Sequence, residues 1–170
     1  MNRFAPVVLA AFGLSACVTQ YAETPEETSH AVLNFVNEPK LATRGFSGLP
    51  LRVEQKYVSV ADRSCSKPTE ITHFTRTSKD HRPVRVKPDQ TINVLAYNLY
   101  GGASNISDVR PGHKSENCNS IASFTPKKDG NYIVRMKQTE HETCEIFVVD
   151  YATKKAPSDL TIKNRFECEQ

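Results

Sequence analysis

The sequence predicts a mainly β fold: a β-sandwich of two facing sheets and about seven strands, preceded by a short N-terminal helix. From Leu51 onward the chain runs in short apolar-alternating segments separated by turn residues, the period-2 signature of strands with a buried face. Residues 118–150 hold three such segments in succession, each with its apolar side chains in one phase. The cysteines at the start of the first and third of these segments favour facing sheets over a single flat one, for a reason given below.

The chain opens with Met1, Asn2 and Arg3 and continues as FAPVVLAAFGLSA without a charge. A short basic stretch followed by an apolar run of this length has the form of a signal peptide. The run is too short to span a bilayer as a helix, which takes roughly 20 apolar residues. It closes on Leu14-Ser15-Ala16-Cys17, which resembles the lipobox of bacterial lipoproteins. The resemblance implies that diacylglycerol is joined to the Cys17 sulfur, that the signal peptide 1–16 is cut off just before it, and that the new amino terminus receives a further acyl chain such as palmitate. Two or more chains, at about 0.8 kcal/mol per buried methylene, make a stable anchor. Val18 stands where the family places Asp for inner-membrane retention, which implies an outer-membrane protein facing the periplasm. The competing readings are an ordinary secretory peptide with a chance cysteine, or a buried N-terminal strand.

Removal of residues 1–16 from the 170-residue chain leaves 154 residues, enough for one sizeable core. With Arg3 gone, 21 basic residues face 19 acidic ones, a formal charge of +2, which is no footprint for nucleic acid. The chain has no Trp and few aromatic residues, which argues against a broad carbohydrate platform. The expected organisation is an anchor, tether and short helix over 17–49 and one sandwich domain over 50–170.

The helix is expected from Pro25 to about Asn37. Thr24-Pro25-Glu26-Glu27 offers a cap, a proline suited to the first helical position and a capping-box glutamate, and Val32, Phe35 and Val36 supply an apolar stripe before Pro39. A strand over AVLNFV, or a partly ordered tether, competes with it. LRVEQKYVSV changes phase between Val53 and Val58, which suggests a bulged strand. ITHFTR and PVRVK are shorter strands, and TINVLAYNLY is apolar in both phases, as a central strand buried on both faces would be. Gly101-Gly102 ends that strand and a polar loop follows to residue 117. In the next run Cys118, Ala122 and Phe124 share a phase, then Tyr132, Val134 and Met136, then Cys144, Ile146 and Val148. A last strand is expected from Leu160 to Arg165, after Pro157.

With Cys17 lipidated, Cys65, Cys118, Cys144 and Cys168 form an even set in an oxidising compartment, and two disulfides are the default. Three pairings are possible; 118 with 144 and 65 with 168 is the favoured one. In one flat sheet the first and third strands of the 118–150 run would lie about 9.5 Å apart, too far for a disulfide, so this pairing calls for facing sheets. Gly130-x-Tyr132 resembles the tyrosine corner of immunoglobulin-like sandwiches, although Val134 stands where those domains place a cysteine and their buried tryptophan is absent. The resemblance implies a sandwich of immunoglobulin-like or transthyretin-like type, in which the tyrosine hydroxyl pins a connection between sheets.

No catalytic constellation is visible. His30, His73, His81, His113 and His141 stand singly, with no HExxH or HxH spacing, and Ser104 of GGASNIS lacks the strand-turn-helix setting of a nucleophile elbow. The wide spread of the cysteines does not suit zinc. His141 near Cys144 reads as a solvated loop beside a structural cysteine. The segment RTSKDHRPVRVK concentrates Arg76, Lys79, Arg82, Arg85 and Lys87 against Asp80 alone. It could face anionic envelope polymers, phosphate-bearing lipid or an acidic partner; the blander reading is a charged edge strand protected against aggregation.

The expected function is a lipid-anchored envelope protein without enzymatic activity or cofactor, a binding or scaffold module at the outer membrane with an envelope protein as partner. The alternative is a periplasmic inhibitor or small-ligand binder that inserts the loop GGASNISDVRPGHK. An enzyme would need a hydrolase site assembled from separated residues such as Asp108 and His113.

Overall fold

A computed structural model describes residues 19–38, 53–61, 68–75, 78–100, 119–138 and 144–164. Nine strands are present in it: β1 (Ala31–Val36), β2 (Val53–Ser59), β3 (Thr69–Phe74), β4 (His81–Val86), β5 (Ile92–Tyr100), β6 (Asn119–Phe124), β7 (Asn131–Gln138), β8 (Cys144–Asp150) and β9 (Thr161–Asn164). They form a four-stranded sheet in the order β4-β1-β7-β8 and a five-stranded sheet in the order β3-β2-β5-β6-β9. All neighbours are antiparallel except β1 and β7, which run parallel.

The core lies between the sheets. Leu33, Phe35, Val84, Val86, Tyr132, Val134, Met136, Ile146 and Val148 enter it from one side, and Tyr57, Ile71, Phe74, Ile92, Val94, Ala96, Ala122 and Phe124 from the other. Each large side chain withdrawn from water in this way contributes about 1.5–3 kcal/mol before the entropy of ordering is charged against it. Phe35 and Tyr57 meet across the interface with ring centroids 4.9 Å apart, and Tyr57 and Phe74 at 6.1 Å, edge to face.

Residues 31–36 are a strand, which corrects the expected helix. The capping signals around Thr24 and Pro25 produce a single turn, Thr28 N–H to the Pro25 carbonyl at 3.1 Å, and no helix follows among the described residues. Period 2 then takes over: Ala31, Leu33 and Phe35 are fully buried and alternate with half-buried Val32, Asn34 and Val36. Pairing on both sides, with β4 and β7, gives this segment a ladder and a core contact that an isolated amphipathic turn could not match. The strand lies within the stretch that the sequence assigns to tether and helix.

The bulge is also displaced. β2 pairs residue for residue with β5 from Val53 to Ser59, and the extra residue, Ile71, sits on β3 between Thr72 opposite Tyr57 and Glu70 opposite Val58. The phase change read from β2 has a different cause: Tyr57 faces the core, while Val58 points to the other side of the sheet and is buried there too. β5 has the burial on both faces that its sequence suggests, with Val94 and Ala96 in the core and Leu95 and Tyr97 buried in the alternate row.

β6 and β7 lie in different sheets, so the turn between them crosses the sandwich. There the Tyr132 hydroxyl accepts a hydrogen bond from the Lys127 amide at 2.9 Å. Gly130 leaves room for the ring: a Cβ at that position would stand 2.7 Å from Tyr132 Cε2 and 2.8 Å from the Lys127 carbonyl oxygen. Asp129 takes the left-handed conformation beside it, with φ 57°.

Candidate functional site

The strands at one side of the sandwich, β3 and β4, are the outer strands of their sheets, and an edge left open is a template for unwanted pairing. In this protein residues 19–26 form a strap across both. At β3 the Thr19 carbonyl accepts the Glu70 amide at 2.9 Å and the Tyr21 amide donates to the Glu70 carbonyl at 2.8 Å, which holds Gln20 in a parallel bridge with Glu70. Gln20 Nε2 adds a bond to Glu70 Oε1 at 3.3 Å, and Tyr21 packs its ring against the core. Burial, reinforced by the nearby Glu23 carboxylate, pushes the Tyr21 phenol above its ordinary pKa.

Three residues later the strap reaches β4. The Thr24 amide donates to the Arg85 carbonyl at 3.1 Å, Arg85 Nε donates to the Thr24 carbonyl at 3.0 Å, and the Arg85 amide donates to Glu23 Oε2 at 3.3 Å. Thr24 is buried at the crossing. The arginines of β4 close onto the acidic residues of the strap: Arg82 lies 3.8 Å from Glu23, and Arg85 lies 3.9 Å from Glu23 and 3.5 Å from Glu26.

This arrangement changes the meaning of the basic segment. Arg85 points outward between buried Val84 and Val86, as the alternation requires. Its charge and that of Arg82 are balanced from within the chain by carboxylates about 60 residues away, a pairing that sequence reasoning did not anticipate. The acidic ETPEE opposite the basic RPVR was the available signal. Lys79 and Lys87 are exposed on either side of β4, and Arg76 lies outside the described residues. The strapped edge is therefore close to electrically neutral around Arg82 and Arg85, with its backbone groups partly used by the strap.

At one end of the sandwich, where β2 begins, β5 and β7 end and β6 and β8 begin, the interior turns polar. Gln55, Asn98 and Asn119 are buried there. Gln55 Nε2 donates to the Met136 carbonyl at 3.1 Å, and Asn98 Nδ2 approaches Cys144 Sγ at 3.9 Å. Cys144 is buried between the sheets. The other cysteines, Cys17, Cys65, Cys118 and Cys168, lie outside the described residues, as do Ser104, Asp108, His113 and His141.

The described histidines do not converge. His30 Nδ1 shares a hydrogen bond with the Thr28 carbonyl at 2.7 Å, and His73 Nε2 pairs with Glu54 Oε2 at 2.8 Å on the other sheet. Among the described residues no group of three His, Cys, Asp or Glu side chains comes together as a metal ion would need. No family model, curated protein or solved structure matches the chain.

Proposed function

We propose that the mature protein begins at an acylated Cys17 and serves as a lipid-anchored, non-catalytic binding or scaffold module at the outer membrane, facing the periplasm. The observation that carries this reading is Leu14-Ser15-Ala16-Cys17 standing just ahead of a folded domain in which, among the described residues, hydrogen bonding is already present at Thr19. Signal segment, lipid site and domain follow one another as a processed lipoprotein requires. The partner is an envelope protein, and confinement to the membrane raises its effective concentration without any new contact.

Two structural details belong to this reading. The sandwich is of immunoglobulin-like type in its Tyr132–Lys127 corner, although the parallel β1–β7 pair departs from the antiparallel sheets of immunoglobulin domains. Cys118 is the partner of Cys144, and Cys65 of Cys168. In support, Asn119, which follows Cys118 in the chain, stands opposite Tyr97, and the next residue of β5, Asn98, brings its amide to Cys144 Sγ.

Substitution of Cys17 by Ser tests the reading. The protein should lose its acyl chains and leave the membrane fraction; retention on membranes would overturn the lipobox assignment. In-cell crosslinking of the acylated protein should then recover a stoichiometric envelope partner. A second reading, an inhibitor or small-ligand binder, is favoured by one feature: the 101–118 connection springs from strand ends that carry the buried amides Asn98 and Asn119. It would be chosen if crosslinking returned one soluble periplasmic enzyme in place of membrane machinery.

A further inference from the structure

A lipoprotein held by a free tether samples many orientations; one whose fold begins at the anchor does not. Residues 17–30 as a flexible chain would have a root-mean-square reach of roughly 20 Å. The strap removes that freedom. Only Val18 separates Cys17 from Thr19, and two Cα steps span at most about 7 Å. From Thr19 the chain is fixed on both sides of Gln20 by the backbone of Glu70, and from Tyr21 to Thr24 by the core and by Arg85.

We infer that the strapped edge, β3 with residues 19–21, is held against the lipid surface, and that the opposite edge, β9, is turned away from it. This rests on lipidation of Cys17 as proposed above. β9 lies four strand spacings from β3, about 19 Å across the sheet. That far side carries the two exposed large apolar side chains of the described residues, Tyr151 (55% exposed) and Ile162 (44%), in the places open to a periplasmic partner. The lipid surface is the occupant of the near side because of chain length, not charge. Arg82 and Arg85 beside the strap are balanced by Glu23 and Glu26, so anionic headgroups are not needed to set the orientation.

The test uses the mature acylated protein in phosphatidylcholine vesicles carrying a headgroup-attached quencher. A clickable non-natural residue bearing a fluorophore replaces either Ala61, exposed at the end of β2 beside β3 and 44 positions from the anchor, or Ile162 on β9. Quenching should be severalfold stronger at 61 than at 162, and should persist at high salt. A Gly/Ser linker of about 12 residues between Val18 and Thr19, with a reach of roughly 20 Å, should equalise the two sites while membrane attachment stays intact. Equal quenching of the two sites in the unmodified acylated chain overturns the orientation and leaves the lipoprotein reading standing. Absence of acyl chains on Cys17 by mass spectrometry overturns both.

Discussion

The hydroxyl of Tyr57 on β2 reaches across the sandwich and accepts the backbone amide proton of Met136 on β7 at 3.0 Å, while donating to the Val36 carbonyl at 3.1 Å. The reason lies in strand length. β1 ends at Val36, opposite Arg135, so Met136 has lost its neighbour on that side. Tyr57 and Gln55, two residues apart on β2 and both facing inward, take over the Met136 amide and carbonyl respectively. Burial holds the phenol far above its ordinary pKa, so it stays a hydroxyl and can both donate and accept.

Tyr57→Phe should therefore cost more than one ordinary hydrogen bond. It keeps the ring and its contacts with Phe35 and Phe74 but strands a buried amide and a carbonyl, a loss of about 1–3 kcal/mol per unsatisfied group. Chemical denaturation should show a lower midpoint with an unchanged slope, because the surface exposed on unfolding is the same. A midpoint equal to wild type would mean that Met136 finds another partner.

Gly130→Ala should destabilise the β6–β7 crossing through a collision. The added methyl meets Tyr132 Cε2 and Oη and the Lys127 carbonyl, all closer than 3 Å, and overpacking of this kind costs about 1–3 kcal/mol. Tyr132→Phe should lose only the bond to the Lys127 amide, near 1 kcal/mol on the usual scale. Thermal melts of the two variants separate the effects: the alanine should be the more harmful, and the reverse order would mean that the hydroxyl, not the fit of the ring, holds the corner.

The strap offers a third test. Arg85 is more than a third exposed, so its ion pairs with Glu23 and Glu26 are screened and worth about 0.2–1 kcal/mol. Arg85→Ala should leave the global melting temperature almost unchanged. Local opening should rise, since the bond to the Thr24 carbonyl is lost as well, and hydrogen exchange at the Thr24 amide should quicken while core amides of β7 keep their protection. Unaltered exchange at Thr24 would show that the strap is held by its backbone bonds alone.

What could be read in advance follows from the range of the forces. β7 and β8 were legible because one face of each is buried, and Tyr132, Val134, Met136, Cys144, Ile146 and Val148 all point inward. β1 was legible only as the competing reading, a strand over AVLNFV, because Thr24, Pro25 and Glu27 are locally consistent with a helix start and only pairing with β4 and β7 overrides them. The contacts that tie the sheets and the strap lie farther apart still. Gln55 and Met136 are 81 residues apart, and Arg85 and Glu26 are 59 apart. Local pattern does not say which of these residues meet: the acidic ETPEE and basic RPVR show complementary charge, but each residue alone is an ordinary polar side chain on a strand or turn.

Acid should loosen the far edge first. Asp159 Oδ2 accepts the Thr125 amide at 2.8 Å, which joins the segment before β9 to the end of β6. Hydrogen bonds from the Thr125 hydroxyl and amide hold the Asp159 carboxyl below its ordinary pKa of 3.8. A group whose pKa is lower folded than unfolded stabilises the fold above its unfolded value, and loses that contribution as pH falls through the folded one. The pairing of β6 with β9 should thus be intact at neutral pH and weaken below about pH 4. In an NMR titration the Thr125 amide resonance should move with a midpoint below 3.8, and Asp159→Asn should abolish that movement. A midpoint at or above the ordinary value would remove the carboxylate from its place as the acid-sensitive link to β9.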